Sequence, residues 1–309
     1  MSDAVRFPAG VTVLERGWLS SNNVVFTIGA TAVVDTGYVA HSEQTVALVR
    51  RELDGRLLER IVNTHLHSDH CGGNAALQSA YPSARLMIPP GQADAVAAWD
   101  EDALTYRATG QECARFTFDD VLVPGRSIAL GESEWEIHSA PGHDPHSVIL
   151  FEPRHRLLIS ADALWANGFG VVFPELEGVA AFEEVAATLD LIEALDPESV
   201  IPGHGSPFQG GDRIREALDR ARSRLASFVA DPRRHASHGV KVLIKFRMLE
   251  WQSARFDDLM SWAESMPYTQ LVRSRFFPEL ALRGWLDSVA AELVKSGALA
   301  RDDAMIYNI

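Results

Sequence analysis

The chain has 309 residues, 47% of them hydrophobic and 23% charged, values of a folded protein rather than a disordered one, and enough for one large domain or a large and a small one. Its formal net charge of −14 argues against long anionic partners such as nucleic acid, whose phosphates need cations. No apolar stretch approaches the roughly 20 residues of a membrane helix, Met1–Gly10 has neither a basic segment nor an apolar signal core, and Cys71 and Cys113 are too few for a disulfide framework, so a cytoplasmic protein with no membrane partner is expected.

Short β-rich runs come first, at Val11–Leu14, Asn23–Ile28 and Thr31–Asp35, the last two joined by Gly29-Ala30 in the manner of a hairpin. His41–Leu53 has helical spacing of apolar residues, Leu58–Asn63 reads as a strand, Gly73–Ala80 as a helix, Arg85–Ile88 as a strand and Gln92–Trp99 as a helix. The β pattern returns at Ser127–Leu130, Trp135–Ser139, Val148–Glu152 and Leu157–Ser160. An amphipathic helix over Phe182–Leu195, a last strand at Ser199–Ile201 and a helix over Ile214–Val229 follow. Two such rounds with apolar strands predict two sheets packed face to face with helices outside them.

Asp231-Pro232-Arg233-Arg234, polar and turn-forming, marks a boundary between residues 1–232 and a mostly helical part, 233–309. Helices are expected there at Gly239–Trp251, Phe256–Ala263 and Pro278–Ser296, with a stop at Gly297 before a short hairpin or wing, an order like that of a winged-helix module. Residues 233–309 hold 11 Lys and Arg against 9 Asp and Glu, leaving 17 against 33 in residues 1–232. The tail therefore lacks the basic face of a nucleic-acid reader, and a lid over a cleft or a homodimer contact is the role expected of it.

Thr64-His65-Leu66-His67-Ser68-Asp69-His70 carries the chemistry. Three imidazoles and a carboxylate follow directly on a strand, a density of nitrogen and oxygen ligands that is costly to place unless divalent cations bind. Side chains alternate in an extended segment, so His65 and His67 point the same way and can share one metal. Asp69 and His70 follow as the chain turns toward Gly72-Gly73-Asn74, and they can aim at a second metal. Cys71 reads as a small apolar residue at a helix start rather than a thiolate ligand. Each later strand of the second round also ends in a candidate ligand: His143 after Ala140-Pro141-Gly142, Asp162 after Ser160-Ala161, and His204 after Pro202-Gly203. A Pro-Gly turn swings the backbone sharply and exposes the next imidazole at a sheet edge.

On these residues the chain resembles the metallo-β-lactamase superfamily, whose H-x-H-x-D-H signature matches His65, His67, Asp69 and His70 and whose later motifs match His143, Asp162 and His204 in order, over roughly residues 10–210. The resemblance implies an αββα sandwich with a dinuclear centre, usually zinc and sometimes iron or manganese. His65, His67 and His143 would hold one ion, Asp69, His70 and His204 the other, and Asp162 would bridge them. Two cations about 3.5–4 Å apart can hold a hydroxide and lower its pKa toward 7; Asp69 would orient it as the catalytic carboxylate.

Departures from particular members narrow the activity. The bridging Asp162 and the missing signal peptide weaken a β-lactamase reading, His67 contradicts the flavin-linked di-iron oxidoreductases, and the full second ligand set exceeds what a mononuclear persulfide dioxygenase needs. Cleavage of a small molecule's thioester or lactone is the expectation. A phosphodiesterase or nuclease is the alternative, and a metal-stabilised non-catalytic scaffold a weaker one. Trp165, Asn167, Phe169 and Phe173, in a glycine-punctuated loop after Asp162, are expected to wall the substrate, with His146 near the cleft and Trp18 and Phe208 as weaker candidates.

Overall fold

The computed structural model describes residues 5–309. Two six-stranded sheets form its centre. The first runs in spatial order β1 (Val11–Leu14), β2 (Asn23–Phe26), β3 (Ala32–Val34), β4 (Arg60–Val62), β5 (Arg85–Ile88) and β6 (Asp120–Val121). The second runs β12 (Phe208–Gln209), β11 (Ser199–Pro202), β10 (Leu157–Ala161), β9 (Val148–Glu152), β8 (Ser133–Ser139) and β7 (Ser127–Leu130). Chain-adjacent strands within these sheets pair antiparallel except where a helix intervenes: β3–β4, β4–β5 and β5–β6 are parallel across α1 (Ser42–Leu53), α2 (Ser68–Cys71) with α3 (Asn74–Ala80), and α4 (Ala93–Ala98), and β10–β11 is parallel across α5 (Phe173–Glu177) and α6 (Phe182–Leu195).

Alternation along the strands explains the layering. In β2 and β3, Val24, Phe26, Ala32 and Val34 meet Leu150, Leu157, Ile159 and Ile201 between the sheets, while Val25 and Val33 turn outward onto α1, α3 and α4. In the second sheet Ile149, Phe151 and Leu158 turn outward onto α6 and α7 (Gly211–Ala230). Strands covered on both faces need apolar residues at every position, and the run Val148–Glu152 is buried throughout. The result is the αββα sandwich that the strand–helix rounds predict.

Beyond α7 the chain turns at Asp231, whose carboxylate accepts from the Arg234 amide at 3.1 Å and caps α8 (Pro232–Trp251). Strand β13 (Ser253–Arg255), helices α9 (Phe256–Ser265), α10 (Pro267–Phe276) and α11 (Leu282–Lys295), and the hairpin β14 (Leu299–Asp302)–β15 (Met305–Asn308) complete the chain, with β13 pairing on β15. Strand β13 is absent from the sequence reading, the last helix starts at Leu282 rather than Pro278, and two further helices differ. Helix α8 starts at Pro232, seven residues before Gly239, because capping Asp231 and Pro at the first helical position open a helix there. Helix α10, whose buried side chains are only Tyr268, Thr269 and Val272, has too sparse an apolar stripe to be read from spacing.

Helix α8 is tied to the sandwich by Arg247. Its guanidinium donates to the Gly110 carbonyl, pairs with Glu250 at 2.8 Å and lies 4.8 Å from the Trp262 ring centroid. His235, buried on Phe228 and Phe182, accepts from the Val172 amide at 3.3 Å. Burial, and after it the charge of Arg224, pushes the His235 imidazole down to about 4 from 6.5. As pH falls below 6.5 the unfolded chain takes up a proton that the folded chain refuses until about pH 4, so the stability this residue contributes is complete above 6.5 and lost across that window. His235→Gln is expected to flatten the decline of Tm between these pH values in thermal melts; an unaltered slope would contradict the assignment.

Candidate metal centre

Five strand ends meet at one edge of the sandwich. His65 follows β4, with His67 at the start of α2 and Asp69 and His70 inside it; His143 follows β8, Asp162 follows β10 and His204 follows β11, while Asp35 closes β3. Asp35 and Ala161, neither of them glycine, sit at φ 57° and 45°. Left-handed backbone of this kind is unfavourable for a side chain-bearing residue and is sustained only by its surroundings. At Ala161 the turn coincides with a shift of register against β11 and throws Asp162 toward the edge.

The structure brings all seven sequence-derived residues together, in three overlapping groups whose donor atoms lie within 4.8 Å of one another: His65, His67 and His143; Asp69, His70 and His204; and His65, His70 and Asp162. His67 Nδ1 is 2.8 Å from His143 Nε2, and His204 Nε2 is 3.0 Å from Asp69 Oδ2. Asp162 faces both sides, with Oδ2 at 3.4 Å from His143 Nε2 and Oδ1 at 3.4 Å from His70 Nε2.

The outward nitrogens are already occupied. His70 Nδ1 lies 2.8 Å from Asp35 Oδ2, His143 Nδ1 2.5 Å from the Val171 carbonyl, His204 Nδ1 3.2 Å from the Gly17 carbonyl, and His65 Nδ1 3.2 Å from Thr64 Oγ1. Asp35 also accepts from the Thr64 amide at 2.9 Å. These contacts orient the rings, and they leave His65 Nε2 and His70 Nε2 as buried nitrogens without a hydrogen-bond partner. Orphaned inward nitrogens beside a shared carboxylate fit two divalent ions.

The electrostatics divide the cluster in two. For His65, burial and then the neighbouring imidazoles hold the ring well below its ordinary value, and burial followed by His67 pushes His143 down to about 4, so this half is a set of neutral donors. Burial also opposes the charged forms of His70 and His204, but it is overcome, with Asp162 the largest opposing charge, and both rise. Asp162 is held well below the carboxylate range because His70 and His204 outweigh burial. The Asp69 and Asp162 half is the anionic one.

Glycines let the chain pass close to the ligands. A Cβ on Gly203 would stand 2.2 Å from Asp162 Oδ1 and 2.9 Å from His70 Cε1, and one on Gly170 would stand 2.4 Å from His143 Nδ1. Around the cluster opens a cavity of about 630 Å³. Trp18, 55% exposed, stacks on His204 with centroids 5.4 Å apart, Trp165 donates to Asp162 Oδ1 at 3.2 Å, and Phe173 lies edge-on to His67 at 5.2 Å. His146 and Asn167 also line it. Phe169 does not: at 2% exposure it packs in the core under the second sheet against Phe228. Phe208 belongs to the same core. Cys71 points away from the cluster to Tyr106 Oη at 3.1 Å.

Several residues at the site are silent in the sequence. Asp144 approaches His67 Nε2 at 3.8 Å, Gln111 lines the cavity from an irregular segment, and Val242, Leu243 and Phe246 of α8 form a wall. On a helix such apolar residues read as ordinary core.

The chain belongs to the metallo-beta-lactamase superfamily, whose family model matches residues 16–204. It is 30% identical over 185 residues to a hydroxyacylglutathione hydrolase of Cereibacter sphaeroides, covering 60% of this chain and 63% of that protein. To a linear primary-alkylsulfatase of a Pseudomonas strain it is 23% identical over 227 residues, 63% of this chain and 43% of the relative. The chain thus spans less than two thirds of either protein. Among solved structures, a beta-lactamase domain protein from Burkholderia ambifaria matches 100% of this chain and 96% of its own with TM-score 0.61 at 20% identity, and a metallo-beta-lactamase family protein from Thermus thermophilus matches 98% and 99% with TM-score 0.57 at 15% identity. These likenesses extend the shared fold through the C-terminal helices. No described helix is long and apolar enough to cross a membrane.

Gly203→Ala is expected to push Asp162 off its position between the two groups and to lower the metal content of the purified protein below that of the wild type, read by elemental analysis. Full loading with the wild-type melting curve would show that the close approach is not needed.

Proposed function

We propose that this protein is a dinuclear-metal hydrolase, with zinc as its resident ion, that cleaves a thioester or lactone of a small molecule. The observation that carries the reading is Asp162 set between two clusters of inward-facing donors at the floor of a largely apolar cavity. When bound, two divalent cations there supply a Lewis acid and lower the pKa of water toward neutrality. Imidazole and carboxylate donors suit zinc, and iron and manganese share enough of this preference to be tested beside it.

The chain's own groups do the rest. Asp69, kept anionic by His70 and His204 against the opposing effect of burial, can accept a hydrogen bond from water and orient it toward a carbonyl. The contacts of Asp35, Val171 and Gly17 fix the rings, so little rearrangement accompanies reaction. Trp18, Trp165 and Phe173 shield the reacting carbonyl from bulk water and offer an apolar surface to the acyl group. A thioester or lactone asks only for an oriented water and a polarised carbonyl, which this set can serve. The likeness to hydroxyacylglutathione hydrolases supports a thioester. A cavity of about 630 Å³ in a chain of net charge −14 suits a small molecule better than a polynucleotide.

The test is a turnover screen of the metal-replete protein with thioesters, lactones and bis-nitrophenyl phosphate, repeated on His65→Ala. A thioester or lactone is expected to be hydrolysed, and His65→Ala to reduce that turnover by about 100-fold or more along with metal content. Equal turnover in the variant, or hydrolysis of the phosphodiester alone, would overturn the proposal.

A further inference from the structure

Arg224, on the inner face of α7, lines the same cavity, half-buried, and among the described residues no carboxylate lies within ion-pair distance of it. Its guanidinium donates to the Asn167 carbonyl at 3.3 Å through Nη1 and to His238 Nε2 at 3.1 Å through Nη2. A guanidinium carries five N–H groups, so the other three have no acceptor in the described residues. The Phe228 ring centroid lies 5.7 Å from the guanidinium carbon. The surroundings are otherwise unfavourable to a cation: burial and the charge of Arg234 both work against its ionised form, and His238, pushed down to about 3 first by burial and then by Arg224, is a neutral acceptor rather than a counter-ion.

The position is built rather than incidental. Gly168, at φ 127°, leaves room for the arginine, since a Cβ there would stand 2.6 Å from Nη1. The Trp165 amide donates to the Gly168 carbonyl at 2.6 Å, closing a tight loop that runs from Asp162 at the metal groups to Asn167 at the guanidinium. The same short segment therefore sets the spacing between the ligand cluster and the unpaired cation. Unpaired charges in a cleft are frequent markers of binding sites.

We propose that Arg224 and the Asn167–Gly168 turn form a subsite for a single carboxylate carried by the substrate away from its scissile bond. The planar fork matches a carboxylate with two parallel hydrogen bonds. One positive charge, with the apolar Val242 and Phe246 and the carboxylates of Glu177 and Glu184 lining the same cavity, selects a monoanion over a polyphosphate. The inference deepens the hydrolase reading and rests on it for the location of the scissile bond; the cation and its free donors stand apart from that reading.

The carboxylate can sit on the acyl part or on the leaving group, so two matched pairs are compared on the metal-replete protein. Mono-4-nitrophenyl glutarate is set against 4-nitrophenyl pentanoate, and the butanoyl thioester of 3-mercaptopropionate against that of propanethiol. In one pair the wild type is expected to favour the acid in kcat/KM by about tenfold or more. Arg224→Met should bring that ratio to about one, chiefly through KM, and Arg224→Lys, which keeps the charge without the fork, should recover part of it. No preference in either pair, or a preference that survives Arg224→Met, overturns the subsite. Should the wild type turn over none of the four, the subsite is judged apart from the hydrolase reading, by glutarate quenching of tryptophan fluorescence. Binding about tenfold weaker in Arg224→Met supports it, and equal binding overturns it.

Discussion

The buried nitrogens of His65 and His70 are the constraint around which this molecule is arranged. Each ring is fully enclosed, each has its outer nitrogen engaged, and neither Nε2 makes a hydrogen bond to the protein, that of His70 lying 3.4 Å from Asp162 Oδ1. Leaving such a group unsatisfied costs about 1–3 kcal/mol, and the crowded imidazoles of His70, His67 and His143 oppose any charge on His65. Folding alone does not reward that arrangement. The left-handed turns at Asp35 and Ala161, the bare glycines at 170 and 203 and the Asp35–Thr64 contacts all hold it in place. A sandwich of two sheets suits the purpose because parallel and antiparallel strands deliver their ends to one edge, where loops from distant parts of the chain converge on a rigid base.

What can be read in the sequence follows how local each signal is. Six consecutive positions, His65 to His70, hold four donors, and no folding argument is needed to see them. His143 and His204 are legible because each follows a Pro-Gly turn at a strand end, and Asp162 because it closes an apolar strand. The sandwich itself is legible because strands buried on both faces are written as unbroken apolar runs. Other features depend on neighbours far along the chain. Phe169 and Phe173 are alike in a sequence, four residues apart in one loop, yet one enters the core and the other meets His67. Val242 and Phe246 are indistinguishable from helix core until α8 is docked beside the cleft. Arg224 reads as a solvated charge on an amphipathic helix, since only the Gly168 turn reveals where its guanidinium rests. The irregular stretch before β6 buries Leu104, Tyr106 and Phe116 without any periodicity to announce them.

Helix α8 has two jobs that constrain one another. One face enters the C-terminal core through Val240, Ile244 and Met248, and another presents His238, Val242 and Phe246 to the cavity. Arg247 holds the helix at its height over the cleft by its bond to Gly110, its pairing with Glu250 and its stacking on Trp262. A side chain change on either face is thus felt at the other through a rigid rod rather than through a flexible hinge.

The floor and the far wall of the cavity come from different stretches of chain: the ligand cluster ends at His204, and the wall begins at His238. Part of the molecular selectivity is therefore encoded in a segment separate from the ligands, facing them across the cavity. A lineage could redraw the wall, residue by residue along one helix, and acquire a new clientele while the reactive centre stays as it was. The same partition explains how one reactive edge can serve many chemistries: the inherited part is the instrument, and the tail that leans over it is the lens.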